Sequence, residues 1–340
     1  MAEQATTVQA ELPQARLIVA PGPHVTSTRL TTRRMMLDVL IGLLPVLVAS
    51  GIVFQLYALK QVAICVAACV AAELLFTAMR RRPLSVTDLS AAVTGVILAL
   101  SLPGTAPWYV GVIGGVVAIG IGKVVFGGLG QNIFNPAMVG RAFVMIAFAA
   151  LLGAPGYVAS GPAQWSTFDA ITQATPMQAW KQDGVVTPLW QLFLGSTNGS
   201  LGETSALACL LGGLYLCLRR TASWEIPLGM LLAVSALAGV QNALNPDSQW
   251  TVLHHLLGGA TLFGAFFIAT DPVTSPLTPK GKFIFGLGVG SLVMLMRVFS
   301  SYPEGVMFAV LLTNAVVPLI NRWTIPRPVG GPVPAPAEAR

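Results

Sequence analysis

Apolar residues fill this chain in long runs, separated by short stretches where glycine, proline and charged residues gather. A helix needs about 20 mostly apolar residues to cross the hydrocarbon of a bilayer. Ten segments fit, some short or interrupted by glycine: roughly 35–55, 58–79, 89–105, 108–126, 137–153, 203–218, 224–241, 253–270, 283–299 and 304–321. The pattern predicts an all-α, polytopic transmembrane helical bundle of about ten spans, or nine if one segment is re-entrant or broken. The longest polar interruption, about Gly153 to Gly202, leaves five spans before it and five after. Halves with an odd number of spans would be related by inverted topology, so a 5+5 inverted repeat is a further expectation. The organisation read this way is an N-terminal segment 1–34, a first transmembrane half 35–153, an outer loop 154–202, a second half 203–322 and a Pro-rich tail 323–340.

Composition supports the membrane reading. Of the 340 residues 54% are hydrophobic and only 9% charged, with mean hydropathy +0.74, against about 25% charged in soluble domains. The lipid bilayer serves as solvent for the apolar surface. A net charge of +6 raises nucleic acid as a partner. The basic residues, however, stand singly or in twos and threes between apolar runs, which is the pattern of loop anchors, so no nucleic acid is expected.

With the N-terminus inside, 16 of the 19 basic residues fall on the inner side and only Lys60, Lys181 and Arg297 on the outer. The positive-inside bias therefore puts both termini in the cytoplasm and the long loop on the outer face. Met1 to Arg34 lacks the apolar core of a cleaved signal peptide. Cys65, Cys69, Cys209 and Cys217 all lie in apolar runs. Cys65 and Cys69 share a helical face, which is open to a metal or to simple packing; without a CxxC no iron–sulfur cluster and no metal site is expected.

Two stretches break the apolar pattern at predicted inner helix ends: Gly127-Gly128-Leu129-Gly130-Gln131-Asn132-Ile133-Phe134-Asn135-Pro136 and Thr270-Asp271-Pro272-Val273-Thr274-Ser275-Pro276. Irregular backbone at membrane depth must be buried in protein or line a wet cavity; ordinary Gly/Pro turns are the other reading. Glu73, inside the second span, is either a cation ligand or relay, or the ion-pair partner of Arg80 or Arg81. Asp88, Asp271 and Glu304 lie nearer helix ends, where caps are common. His254 and His255 open the eighth span as interfacial anchors or cofactor contacts. Trp108, Trp165, Trp190, Trp224, Trp250 and Trp323 sit where an aromatic belt would be.

The outer loop contains Asp169-Ala170-Ile171-Thr172-Gln173-Ala174-Thr175-Pro176. This D-x-x-[S/T]-x-A-T pattern resembles the flavinylation motif of the Rnf and sodium-pumping NADH:quinone reductase families. A hydroxyl nucleophile that another enzyme must reach, as the resemblance implies, suits a flexible exposed loop. Small Ala174 leaves room beside Thr175, and Pro176 discourages a helix from folding over it. The resemblance implies covalent FMN on Thr175 through a phosphoester, installed by a flavin transferase, with Asp169, Thr172 and Ala174 as recognition positions. Gln173 departs from the glycine usual there.

The run from Gly122 to Phe143 (GKVVFGGLGQNIFNPAMVGRAF), together with Thr87 to Gly95 and Phe267 to Pro276, is similar to the signature of the RnfD/NqrB family. The likeness extends from about Arg33 to Arg322, and the absence of a longer N-terminal extension favours the RnfD branch. It implies an electron-transfer subunit of the Rnf complex in the bacterial cell inner membrane, coupling electron flow between ferredoxin and NAD to Na+ or H+ movement. It implies a second, non-covalent flavin, riboflavin, and as partners the subunits RnfA, RnfB, RnfC, RnfE and RnfG. Asn132, Asn135, Thr270 and Asp271 are the candidates for lining the riboflavin, since amides and hydroxyls can bond an isoalloxazine edge; the two asparagines could equally cap or brace a broken helix. No nucleotide-binding glycine fingerprint is present, so NAD and ferredoxin are expected to meet other subunits, with no turnover by this chain alone. The rival readings are a channel or secondary transporter without a redox role, and a passive scaffold.

Overall fold

The computed structural model describes residues 31–81, 86–104, 106–152, 156–158, 170–172, 175–195, 197, 199–300 and 305–326. The expectations for the N-terminal segment before residue 31, the tail after 326, Trp165, Asp169, Gln173, Ala174 and Glu304 lie outside them.

The first half contains α1 (Thr32–Phe54), α2 (Leu56–Met79), α3 (Ser90–Ser101), α4 (Trp108–Ile119) and α5 (Pro136–Ala147), followed by the single turn α6 (Ala149–Leu152). A short antiparallel pair, β1 (Gly156–Val158) with β2 (Ala170–Thr172), and two small helices, α7 (Pro176–Asp183) and α8 (Leu189–Leu194), come before the second half. That half is α9 (Ala206–Leu218), α10 (Glu225–Leu244), α11 (Val252–Leu257), α12 (Thr261–Phe263), α13 (Pro279–Phe299) and α14 (Val306–Thr324). Helices α4 and α12 each run on into a five-residue π-helical segment, Gly120–Val124 and Gly264–Ile268.

Five helices, α1, α2, α10, α13 and α14, are long and apolar enough to cross a membrane. The molecule is therefore a polytopic helical membrane protein. The other predicted spans are shorter or broken. The predicted segment 89–105 is helical over the 12 residues of α3, about 18 Å at 1.5 Å per residue, against a hydrocarbon thickness of about 30 Å. Its end is turned aside by Pro103, which bridges to Ser200, while Gly202 N donates to Leu100 O. The predicted segment 253–270 breaks between α11 and α12 at Gly258-Gly259. Large apolar side chains such as Ile52, Leu218 and Phe299 are mostly exposed on the outside of the bundle, as a lipid-facing surface requires.

Helices approach closely where glycine allows it. Gly111 and Gly115 of α4 face Cys65 and Cys69 of α2, so those cysteines pack as small apolar groups. Among the described residues no His/Cys/Asp/Glu group could hold a metal ion. On α13, Gly286 and Gly290 lie against the carbonyl oxygens of Ile226 and Met230 on α10. A Cβ at either position would overlap backbone. Gly286→Leu is thus expected to destabilise the bundle by about 1–3 kcal/mol and to lower the thermal midpoint of the detergent-solubilised chain. An unchanged midpoint would show that α13 does not sit on α10 in this way.

Candidate functional site

The glycine-rich stretch after α4 folds back on itself. Gly127, Gly128 and Gly130 have φ of 127°, 110° and 90°, values that favour residues without a Cβ. Gly128 N donates to Lys123 O, closing the π segment. Asn135 then starts α5: its Oδ1 accepts from Met138 N at 3.3 Å, and Pro136 occupies the first helical position. Asn135 also donates from Nδ2 to Ile268 O and from its backbone N to Asn314 Oδ1, each at 3.2 Å. Asn314, buried in α14, donates in turn to Thr274 O at 3.0 Å. The two irregular stretches are thereby pinned together.

Between them lies a pocket whose wall is mostly apolar with a few polar groups, the usual character of a small-molecule site. Asn132, Asn135, Thr270 and Asp271 all line it, along with the start of α1, the face of α3, Lys123 and Phe267. Asn135 is the brace. Asn132 donates from Nδ2 to Phe134 O at 3.2 Å, while its buried Oδ1 has no hydrogen-bond partner among the described residues. A buried acceptor without a partner costs about 1–3 kcal/mol. Thr270 Oγ1 donates back to Phe266 O at 2.6 Å, and Asp271 accepts from Val273 N and Thr274 Oγ1, closing its own turn.

The partner the structure gives Glu73 is Lys123, which the sequence reading had not paired with it. Glu73 Oε1 lies 2.6 Å from Lys123 Nζ, with both side chains almost wholly buried. Lys123 also donates to Ser90 Oγ at 2.6 Å, and Ser90 Oγ donates to Asp88 Oδ1 at 2.5 Å. Lys123 lies in the π segment, whose hydrogen bonds span one residue more than those of an α-helix, and is buried against α2 and α3 instead of standing as an inner loop anchor. A lone lysine inside the apolar run 108–126 was the available signal.

At the opposite end of the bundle, Thr175 differs from the exposed acceptor expected. It is buried, at 7% exposure, and its Oγ1 accepts from Gln178 N at 3.3 Å as the N-cap of α7. Pro176, expected to discourage a helix, occupies the first position of one. Thr172 lies on β2, and Asp169 and Ala174 are outside the described residues. A small cavity joins Thr175 to Thr197, Glu203 and Gly259. Glu203, which accepts from Ser200 Oγ and lies 3.9 Å from Arg141, brings a buried carboxylate there that sequence reasoning had not singled out.

Helix α7 docks through Trp180, stacked on Trp250 with centroids 5.0 Å apart. Trp250 is fully buried, unlike the exposed Trp108, Trp190, Trp224 and Trp323, so it does not belong to an aromatic belt. His254 and His255 are likewise buried, His255 edge-on to both indoles. Arg297, expected as an outer anchor, is buried and donates to His255 O, Gly258 O and Thr261 Oγ1, holding the break between α11 and α12. Lys181 donates to Ser300 O at 2.9 Å; partial burial, and then the Arg297 guanidinium, hold its pKa below that of an ordinary lysine. From that break, α12 and its π segment lead through Phe263 and Phe267, centroids 5.5 Å apart, to the inner pocket.

Comparison with known proteins adds the following. The model of a family described as NQR2, RnfD, RnfE matches residues 18–330. The D subunit of the Na(+)-translocating ferredoxin:NAD(+) oxidoreductase complex of Acetobacterium woodii is 41% identical over 321 residues, covering 93% of this chain and 96% of the relative. The D subunit of the ion-translocating oxidoreductase complex of Stutzerimonas stutzeri is 42% identical, covering 89% and 93%. The D subunit of the proton-translocating ferredoxin:NAD(+) oxidoreductase complex of Clostridium ljungdahlii is 36% identical, covering 94% and 97%.

Proposed function

The chain belongs to the NQR2, RnfD, RnfE family, and on that premise we propose that it is the membrane electron-transfer subunit of an Rnf complex, coupling electron flow between ferredoxin and NAD to Na+ or H+ translocation. It works as one part of the multi-subunit translocase, not alone. In this reading FMN is esterified to Thr175 by a flavin transferase that recognises Asp169, Thr172 and Ala174. Riboflavin occupies the inner pocket. A bound flavin supplies the electron chemistry that side chains lack.

The observation that carries the reading is the pocket itself, where four residues from two distant stretches converge. Asn135 and Asn314 keep the walls in place, and Arg297 fixes the broken helix that links the outer site to the inner one.

The reading has ten membrane segments in two inverted halves, both termini in the cytoplasm and the Thr175 region outside. Packing supports the repeat: α4 lies on α2 through paired glycines as α13 lies on α10, and α1 meets α9 across the halves through Gly42 and Gly212. RnfA, RnfB, RnfC, RnfE and RnfG are the partners in this reading, and Glu73 belongs to the ion path.

The test is ferredoxin-driven NAD+ reduction with ion uptake in sealed membrane vesicles. Vesicles without this chain are expected to lose both, and ion-coupled turnover that persists without it would sink the proposal. In the whole complex Glu73→Gln is expected to raise the ion concentration for half-maximal turnover about tenfold, equivalent to about 1.4 kcal/mol of binding. A native ion dependence would remove Glu73 from the path.

A further inference from the structure

A groove runs along the seam where α1 and α9 meet, on the outside of the bundle. The two helices touch at Gly42 and Gly212, where a Cβ on Gly212 would overlap Gly42 O. Pro45, Val48 and Ile52 of α1 and Ala208, Leu211 and Tyr215 of α9 line the groove, and its walls are almost wholly apolar. Val48, Ile52 and Leu211 are exposed, so the groove is open on its lipid side. It extends from Ile41 to Ile52 on α1, about 16 Å at 1.5 Å per residue and close to half of the roughly 30 Å hydrocarbon thickness. That is the depth of one leaflet. A partner helix crossing the whole bilayer would find a matching surface over only half of its path.

One end of the groove carries charge. Tyr215, part of the lining, donates from its hydroxyl to Asp38 Oδ1 at 3.4 Å. Asp38 is buried and also accepts from Thr221 Oγ1 at 3.2 Å and from Arg219 Nη2 at 3.2 and 3.4 Å. Arg219, one helical turn beyond Tyr215, is exposed, and its bonds to Asp38 use only one of its nitrogens. A guanidinium held in this way keeps donors for a second oxyanion. Arg33, Arg34 and Arg220 are exposed at the same helix ends, and the acids on these elements are Asp38 and Glu225, so the balance there is positive.

We propose that this seam is a site for one anionic phospholipid. An acyl chain lies in the groove, and the headgroup phosphate bonds the Arg219 guanidinium, which Asp38 positions. The leaflet-deep apolar length selects the chain, and the excess of arginine selects an anionic headgroup over a zwitterionic one. The site is independent of the flavin reading.

The experiment measures binding of phosphatidylglycerol and phosphatidylcholine of equal chain length to the detergent-purified full chain by native mass spectrometry. One phosphatidylglycerol per chain is expected to be retained, with phosphatidylcholine at least about tenfold weaker. Asp38→Asn combined with Arg219→Gln removes both charges without stranding the buried carboxylate and is expected to erase that preference. Leu211→Trp, at an exposed position, fills the groove and is expected to weaken both lipids. Glycerol 3-phosphate, a headgroup without chains, is expected not to displace the lipid; displacement at matching concentration would overturn the role of the groove. Equal retention of the two lipids by the native chain, or a preference unchanged in the double variant, overturns the proposal. In the whole complex, a photoreactive amino acid at position 211 is expected to cross-link to lipid. Cross-linking to a protein subunit instead would give the groove to a partner helix and overturn the lipid site.

Discussion

Thr175→Ala is expected to give a chain that folds and inserts but shows no flavin fluorescence on a denaturing gel, after co-expression with a flavin transferase that labels the native chain. Only a hydroxyl can form the phosphoester, and alanine has none. The fold is expected to survive, because the side chain lost is an N-cap, worth about 1 kcal/mol, on a short helix also held by the Trp180–Trp250 stack. Thr175→Ser keeps both the nucleophile and the cap and is expected to retain the label. Burial of Thr175 adds a requirement: the start of α7 must open, or dock only after labelling, for another enzyme to reach Oγ1. A fluorescent band in Thr175→Ala would move the attachment point elsewhere.

Lys123→Met alone is expected to be among the most destabilising single changes in the bundle. It leaves the Glu73 carboxylate, 1% exposed, without the ammonium 2.6 Å away. Breaking one side of a buried ion pair costs about 3–5 kcal/mol, whereas replacing both charges is often neutral. Lys123→Met with Glu73→Gln should therefore recover most of the loss in thermal midpoint. Equal stability of the native chain and the single variant would mean that the pair is not buried as described.

The sequence made the class of the molecule plain, because lipid-facing helices advertise themselves by composition. It hid the lengths. Apolar residues that run past a helix end into re-entrant backbone look the same as the helix, so the 12-residue α3 reads as a full span until Pro103 and Ser200 are seen to pair. Glu73 was recognisable as costly at its depth, but Arg80 and Arg81 are its neighbours in sequence and Lys123, 50 residues on, is its neighbour in space. Long-range partners of this kind leave no local periodicity.

Thr175 illustrates the opposite case. The local fold there was legible, since Thr-Pro is itself a helix-start signal. The expectation of an exposed loop gave that signal too little weight. Asn314 and Arg297 were legible only as polar residues inside apolar runs, with nothing to say that one pins two irregular stretches and the other holds a broken helix.

The central claim is that this chain carries one flavin by a bond and another by a pocket. Acid precipitation of the purified full chain separates the two, since a phosphoester-linked flavin stays with the pellet and a bound one is released. The account predicts about one flavin in each fraction, with Thr175→Ala emptying the pellet alone. A native chain with flavin in neither fraction would contradict it.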